Sequence, residues 1–297
     1  MAIAIITADW HIRYTVPSCL DMSHEEWMQF QRDSLKRIKE IAKENRAEYI
    51  LVGGDIYHTE QSTDMECITM VQDFATECSE EGISIYIFAG NHDLPYHSSS
   101  NLKRSAIGVL FNSSNIYDMS NCPVCKGCNF DIEDYDNEDI IFKHILTIPK
   151  EMIPPHVTCD TPETLLERYP DARIIFTGDY HKNFMLGFNS EHGERWVVNS
   201  GCLTRQVSDF EDYDPGVYVF DLENPKHHMF AKIGLKQKFS HNGEVKKNVD
   251  KSLEDFANGI KREAVTLDFI SSVRNELPKY EQSVQDKVNG WIDSIGQ

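Results

Sequence analysis

The chain has 297 residues, is 40% hydrophobic and carries a formal net charge of −19. That length and apolar fraction suit one large domain or a domain with an appendage, and no stretch approaches the ~20 apolar residues that span a bilayer. The charge is uneven: residues 225–297 hold 12 Lys/Arg against 10 Asp/Glu, so the acidity lies in the body. That argues against nucleic-acid binding by simple charge attraction, which runs on Lys and Arg.

Taken in order, Ala2–Thr7 reads as a strand, with no basic leader before it, and ends in Asp9-Trp10-His11. The expectation is an intracellular, cytoplasmic protein, in the host cytoplasm if the source is viral. Ser23-His-Glu-Glu26 is a capping-box pattern. It opens a helix whose stripe of Trp27, Phe30, Ile38, Ile41 and Ala42 reads as core. Tyr49–Val52 is a second strand, ending in Gly53-Gly-Asp55-Ile-Tyr-His58. Thr63-Asp-Met-Glu66 starts a second helix by the same capping logic, and Gly82 stops it. Cys67 and Cys78 on that helix read as small packed hydrophobes.

Ile83–Ala89 is a third strand, leading into Gly90-Asn91-His92-Asp93. The β-α-β-α-β order predicts parallel strands with right-handed crossovers. Ligands bind at the carboxyl ends of such strands. Ser98–Phe111 reads as loop plus short helix, and Cys122-Pro-Val-Cys125-Lys-Gly-Cys128 precedes an acidic run. Ile140–Leu146 is a strand with His144 near its end. Thr161-Pro-Glu caps a short helix with Pro at its first position. Arg173–Thr177 is a strand ending in Gly178-Asp179-Tyr-His181. Phe184–Phe188, Arg195–Val198 and Gly216–Asp221 read as short antiparallel strands of a second sheet. A boundary falls near Asn224-Pro225, giving domains 1–224 and 225–297. The second holds a strand and helices, as a capping or partner-docking segment. Its last helix carries Val284, Val288, Trp291, Ile292 and Ile295 as one apolar stripe. That stripe is buried against the chain's own body, a partner groove or a second copy in a homodimer.

The strand ends together offer Asp9, His11, Asp55, Asn91, His92, His144, Asp179 and His181. Carboxylate, imidazole and one amide suit Mn²⁺, Fe²⁺ or Zn²⁺ rather than Ca²⁺ or thiolate zinc. Eight groups exceed what one ion can use, and two ions sharing a carboxylate make a clamp for displacement at phosphorus.

This series resembles the calcineurin-like metallophosphoesterase superfamily. Gly53–His58, Gly90–Pro95 and Val198–Arg205 are similar within it to the SbcD-type DNA-repair nuclease and its phage recombination-endonuclease relatives. The resemblance covers roughly residues 1–222 and implies an α/β fold, a two-sheet sandwich in α-β-β-α layers with a small C-terminal α+β appendage. It implies that Asp9, His11 and His181 hold one metal, Asn91, His144 and Asp179 a second, and that Asp55 bridges them. Mn²⁺ is the foremost ion, with Fe²⁺, Zn²⁺ and Mg²⁺ as alternatives. It places His92 over the scissile phosphate with Asp93 orienting it, and His58 outside the metal shell, directing the strand. One position departs from the family pattern, Asp179 where a His is usual. The implied activity is hydrolysis of DNA phosphodiester bonds, as exonuclease or endonuclease in repair or recombination, with an SMC-like ATPase as partner. A small-molecule or cyclic-nucleotide phosphodiesterase on the same site and a chemically inert scaffold are the competing readings.

The cysteine run is half a zinc knuckle. Cys122, Cys125 and Cys128, with Cys159 or His156 as fourth ligand, would hold a structural Zn²⁺; the alternative is a reduced, thiol-rich loop.

Overall fold

The computed structural model of the chain describes residues 2–59, 63–112, 115–127, 139–190, 193–207 and 211–240. The chain divides into two compact units, Met1–Phe239 and Ser240–Gln297, and every described element lies in the first. The C-terminal stripe from Val284 to Ile295 and Cys128 fall outside the described residues.

Two sheets carry the unit. In the first, β1 (Ile3–Thr7), β2 (Tyr49–Val52), β3 (Ser84–Ile87) and β4 (Ile116–Asp118) run parallel. On the other side of β1 lie β10 (Gly216–Asp221) and then β11 (His228–Lys232), both joined antiparallel. The second sheet has the order β5 (Lys126–Gly127), β6 (Ile140–Lys143), β7 (Ile174–Thr177), β9 (Gly193–Asn199), β8 (Phe184–Ser190). Only β8 in it is antiparallel to its neighbour.

Side-chain alternation along each strand sorts the core into layers. Ile5, Ile50, Val52, Ile85 and Ile87 face α1 (His24–Glu44), α2 (Met65–Glu80) and α3 (Ala106–Asn112). Ala4, Ile6, Leu51, Phe142, Phe176 and Phe220 meet between the sheets. Ile141, Ile175 and Val197 face α4 (Pro162–Arg168). The result is the α-β-β-α sandwich. The stripe of α1 is core: Trp27, Ile38, Ile41 and Ala42 are fully buried. Burying each of its large side chains is worth at most ~1.5–3 kcal/mol. Ser23 closes the capping box with Glu26, Ser23 N–H donating to Glu26 Oε2 at 2.8 Å and Glu26 N–H to Ser23 Oγ at 3.2 Å.

Three local expectations are corrected. The cap of α2 is Asp64 rather than Thr63; its carboxylate accepts from Glu66 N–H at 2.8 Å. Gly216–Asp221 joins the first sheet, not the second. All six of its residues are buried, and it pairs along both edges, with β1 on one side and β11 on the other. The second sheet is mixed, because β6, β7 and β9 return through crossovers and run parallel. The strand beyond Asn224-Pro225 is β11, the outer strand of the first sheet.

Candidate metal centre

The carboxyl ends of β1, β2, β3, β6 and β7 open onto one edge of the sandwich, and the ligand-type residues stand on the loops that extend from them. The first two loops pair with each other. Asp9 N–H donates to Gly54 O at 2.9 Å, His11 N–H to Asp55 O at 2.9 Å and Ile12 N–H to Ile56 O at 2.8 Å. This ladder holds unusual backbone. Asp9, His11, Asp55 and Asp179 have φ of 50°, 46°, 54° and 72°, a region costing non-glycine residues roughly 1–2 kcal/mol each. Strain at four ligand-type positions persists because the surrounding hydrogen bonds over-determine it. Gly178 is required by close approach: a Cβ there would stand 2.5 Å from His144 Nδ1 and 2.9 Å from Gly53 O.

Two groups of donors result, Asp9–His11–His181 and Asp9–Asp55–His144. His11 Nε2 and His181 Nε2 face each other at 3.0 Å. Asp9 belongs to both groups; Asp55 Oδ2, in the second, lies 3.3 Å from His144 Nε2 and also 3.7 Å from His11 Nε2 of the first. Its other oxygen accepts from His92 N–H at 2.9 Å. His144 Nδ1 is 2.8 Å from Gly53 O, which leaves Nε2 as the ring atom turned to the carboxylates. Asn91 begins the short 3-10 turn Asn91–Asp93 that also carries His92.

The donor set fits divalent cations. Asp9 Oδ2 and His11 Nδ1 are buried without a hydrogen-bond partner among the described residues. Burial pushes the Asp9 carboxyl up to about 7, with Asp55 adding to the rise. Burial would lower His144, but the charges of Asp55 and Asp9 outweigh it and raise the imidazole to about 10. The same pairing holds Asp55 below the usual carboxylate range against the opposing effect of its burial. His11 and His181 go the other way: burial keeps both below the ordinary imidazole range. Carboxylates that take up a proton or an imidazolium to balance their charge are a cradle for a cation, and oxygen with imidazole donors suits Mn²⁺, Fe²⁺ or Zn²⁺.

Asp179 behaves differently. Its carboxylate completes neither group; its backbone N–H donates to Asp9 Oδ1 at 3.1 Å. A His or an Asp at this position could supply that amide equally. Asp93 also differs from expectation. Its carboxylate accepts from Gly90 N–H at 2.9 Å, Tyr57 N–H at 3.1 Å and Ile56 N–H at 3.2 Å. It ties the β3 loop to the β2 loop. The His58 carbonyl, not Asp93, meets His92 Nδ1, at 2.9 Å. Asp93→Ala is therefore expected to leave three buried N–H groups without an acceptor. The loss should be on the order of 3 kcal/mol, read as a lower denaturant midpoint; an unchanged midpoint would show the tie to be dispensable.

His58 stacks on His92, ring centroids 5.8 Å apart and 18° between planes, and meets His11 edge-on at 5.6 Å. Burial, then the positive charge of Arg13, lower its pKa to about 4. Two supporting residues carried no assigned role in the sequence. Asn199 donates from Nδ2 to the carbonyls of Tyr180 and Lys182 and accepts from Thr177 Oγ1, fixing the loop that carries His181. Gln206 Nε2 donates to His11 O at 2.9 Å. The signal for both was their place in the Val198–Arg205 stretch and just beyond it.

Of the cysteine run, Cys122 and Cys125 are buried in the core between the sheets, with Cys125 Sγ 3.5 Å from Met119 Sδ. Cys159 is half-buried, and among the described residues none of these thiols joins a metal-binding group.

A family model for calcineurin-like phosphoesterases matches residues 4–183. Exonuclease subunit 1 of Enterobacteria phage T4 is 20% identical over 327 residues, taking in 97% of this chain and 91% of its own. A solved structure, that of TT1561 of Thermus thermophilus, aligns with a TM-score of 0.45 at 10% identity over 78% of this chain and 99% of its own, too loose a likeness to carry an argument.

Proposed function

The chain belongs to the calcineurin-like phosphoesterase family, which implies a metal-dependent phosphoester hydrolase, and from that premise we propose that it is a nuclease cleaving DNA phosphodiester bonds. What carries the nuclease reading is the likeness to a phage exonuclease subunit along nearly the whole chain. The His92 ring beside the metal cradle, stacked on His58 and with Nδ1 engaged by the His58 carbonyl, leaves Nε2 for phosphodiester chemistry.

In this reading Asp9, His11 and His181 would hold one divalent ion, and Asp55, His144 and Asn91 a second. Such ions would supply an acidified water and positive charge beside the phosphate. The protein's own residues do the rest. His92, its Nδ1 turned to the His58 carbonyl, presents Nε2 to the leaving oxygen and supplies or holds its proton. His58 stacks behind it and keeps the ring upright. Asp93 and Asn199 keep the loops at the spacing the site needs. Mn²⁺ is the proposed ion, and a multi-subunit assembly with an ATPase partner is the proposed setting. Among the described residues no helix is long and apolar enough to cross a membrane.

The net charge of −19 favours a second reading, a phosphodiesterase for small or cyclic nucleotides, which need less electrostatic attraction than a long strand. Incubation of the purified protein with Mn²⁺ and, in parallel, linear duplex DNA, single-stranded DNA and a cyclic dinucleotide separates the two. We expect chelator-sensitive cleavage of DNA. Turnover of the cyclic dinucleotide alone would replace the nuclease reading, and no turnover of any substrate would leave the inert scaffold.

A further inference from the structure

Arg13 stands two residues after His11 and belongs to neither donor group. Its backbone is clamped to α1: its N–H donates to Gln31 Oε1 at 2.9 Å, and its carbonyl accepts from Trp27 Nε1 at 2.9 Å and Gln31 Nε2 at 3.0 Å. Its side chain is not held in this way. Among the described residues the guanidinium makes one hydrogen bond, a long one from Nη1 to Gln206 Oε1 at 3.5 Å, and its Nε is buried with no partner. The same Gln206 donates to the His11 carbonyl, so the guanidinium hangs at the rim of the metal cradle, near enough for its charge to reach His58.

Several other arginines are engaged. Arg205 donates to Gln237 Oε1 and the Glu211 carbonyl and lies over the Phe239 ring. Arg195 donates to the carbonyls of Ala172, Leu166 and Tyr169. Arg37, Arg168 and Arg173 pair with Glu44, Asp160 and Asp139. In a chain of net charge −19, a half-buried guanidinium that makes no ion pair with a carboxylate among the described residues needs an anion from elsewhere. Its fork of N–H donors matches a phosphate.

We propose that Arg13 binds a backbone phosphate of the nucleic-acid strand next to the one being cleaved, and so selects polynucleotides over small diesters at this site. The inference rests on the nuclease reading. Its backbone clamp, anchored on the rigid helix α1, sets the root of the side chain. The long bond to Gln206 is weak enough to be exchanged for the phosphate.

The test compares Arg13→Gln and Arg13→Lys with the wild type in Mn²⁺, on a fluorescein-labelled single-stranded oligonucleotide. Arg13→Gln should raise KM about tenfold or more, as expected for loss of a charge-assisted bond, and keep most of kcat. The slope of log Kd against log salt should fall by about 0.7, the share of one single-strand phosphate contact. Arg13→Lys should keep that slope, since the charge remains, and still raise KM through loss of the fork. Unchanged KM and slope in Arg13→Gln, or a loss confined to kcat, overturns the proposal while the nuclease reading stands. If Arg13→Gln does not fold, an unchanged KM in Arg13→Lys overturns it. A wild type that hydrolyses bis(p-nitrophenyl) phosphate but no oligonucleotide ends the nuclease reading, and the proposal with it.

Discussion

Asp55→Asn is expected to abolish metal binding and lower turnover on the order of 10³-fold or more. Asp55 Oδ2 stands 3.3 Å from His144, its companion in one donor group, and 3.7 Å from His11 of the other. The substitution keeps the shape and removes a negative charge that belongs to the second group and faces His11 of the first. A pair of ions contributes several kcal/mol of charge stabilisation at the reacting phosphate, and each 1.36 kcal/mol is tenfold in rate. Asn can still accept from His92 N–H, so the turn after β3 keeps its anchor. The measurements are metal content after dialysis, turnover, and the rise in melting temperature on adding Mn²⁺, which ligand binding to the folded state produces. The wild type should show that rise and the variant should not. Full metal occupancy with near-normal turnover would remove Asp55 from the metal centre.

His92→Ser should lower kcat by ~10²-fold or more and leave the metals in place. The main-chain N–H of residue 92, not its side chain, holds Asp55 Oδ1, and any residue except proline supplies that amide. The ring makes a separate contact through Nδ1 with the His58 carbonyl, and it packs edge-on against His11 at 5.1 Å. Loss of the ring thus removes the proton donor without touching a carboxylate. Metal analysis and single-turnover rates decide the point: loss of metal in this variant would make His92 a ligand, and an unchanged rate would leave it a spectator.

These two substitutions divide the site along a line the residues themselves draw. Asp55 works through its side chain and needs its charge. His92 works through both its amide and its ring, and only the ring is at stake. Asp179 is a third case, in which the amide is used by Asp9 and the carboxylate by neither donor group.

The strand ends, their Gly-rich loops and their Asp, His and Asn residues were legible in the sequence, because an apolar run bounded by Gly has few places to go but a buried strand. Parallel strands of this kind deliver the residues beyond them to one edge of the sheet. The helices were legible too: Ser23 with Glu26, Thr161 with Pro162, and the apolar stripe of α1 are local signals of local structure. The β-α-β-α-β order also announced the parallel run of β1, β2 and β3, but it left the pairing of the later strands and of the polar side chains open. Gly216–Asp221 has the pattern of a buried strand, and nothing local says which sheet will take it; the open side of β1 decides. Asp93 adjoins His92 in the chain, but three amides of the β2 and β3 loops claim its carboxylate once the sheet forms. The left-handed backbone at Asp9, His11 and Asp55 arises where loops far apart in sequence pair, and the Asp179 amide is drawn in by Asp9. Arg13 looks like any surface arginine until the fold brings Gln206 to it from beyond the second sheet, as its one side-chain hydrogen-bond partner among the described residues. Local composition decides which segments are strands and helices. The tertiary structure decides which polar groups find partners, and so which remain to meet a ligand.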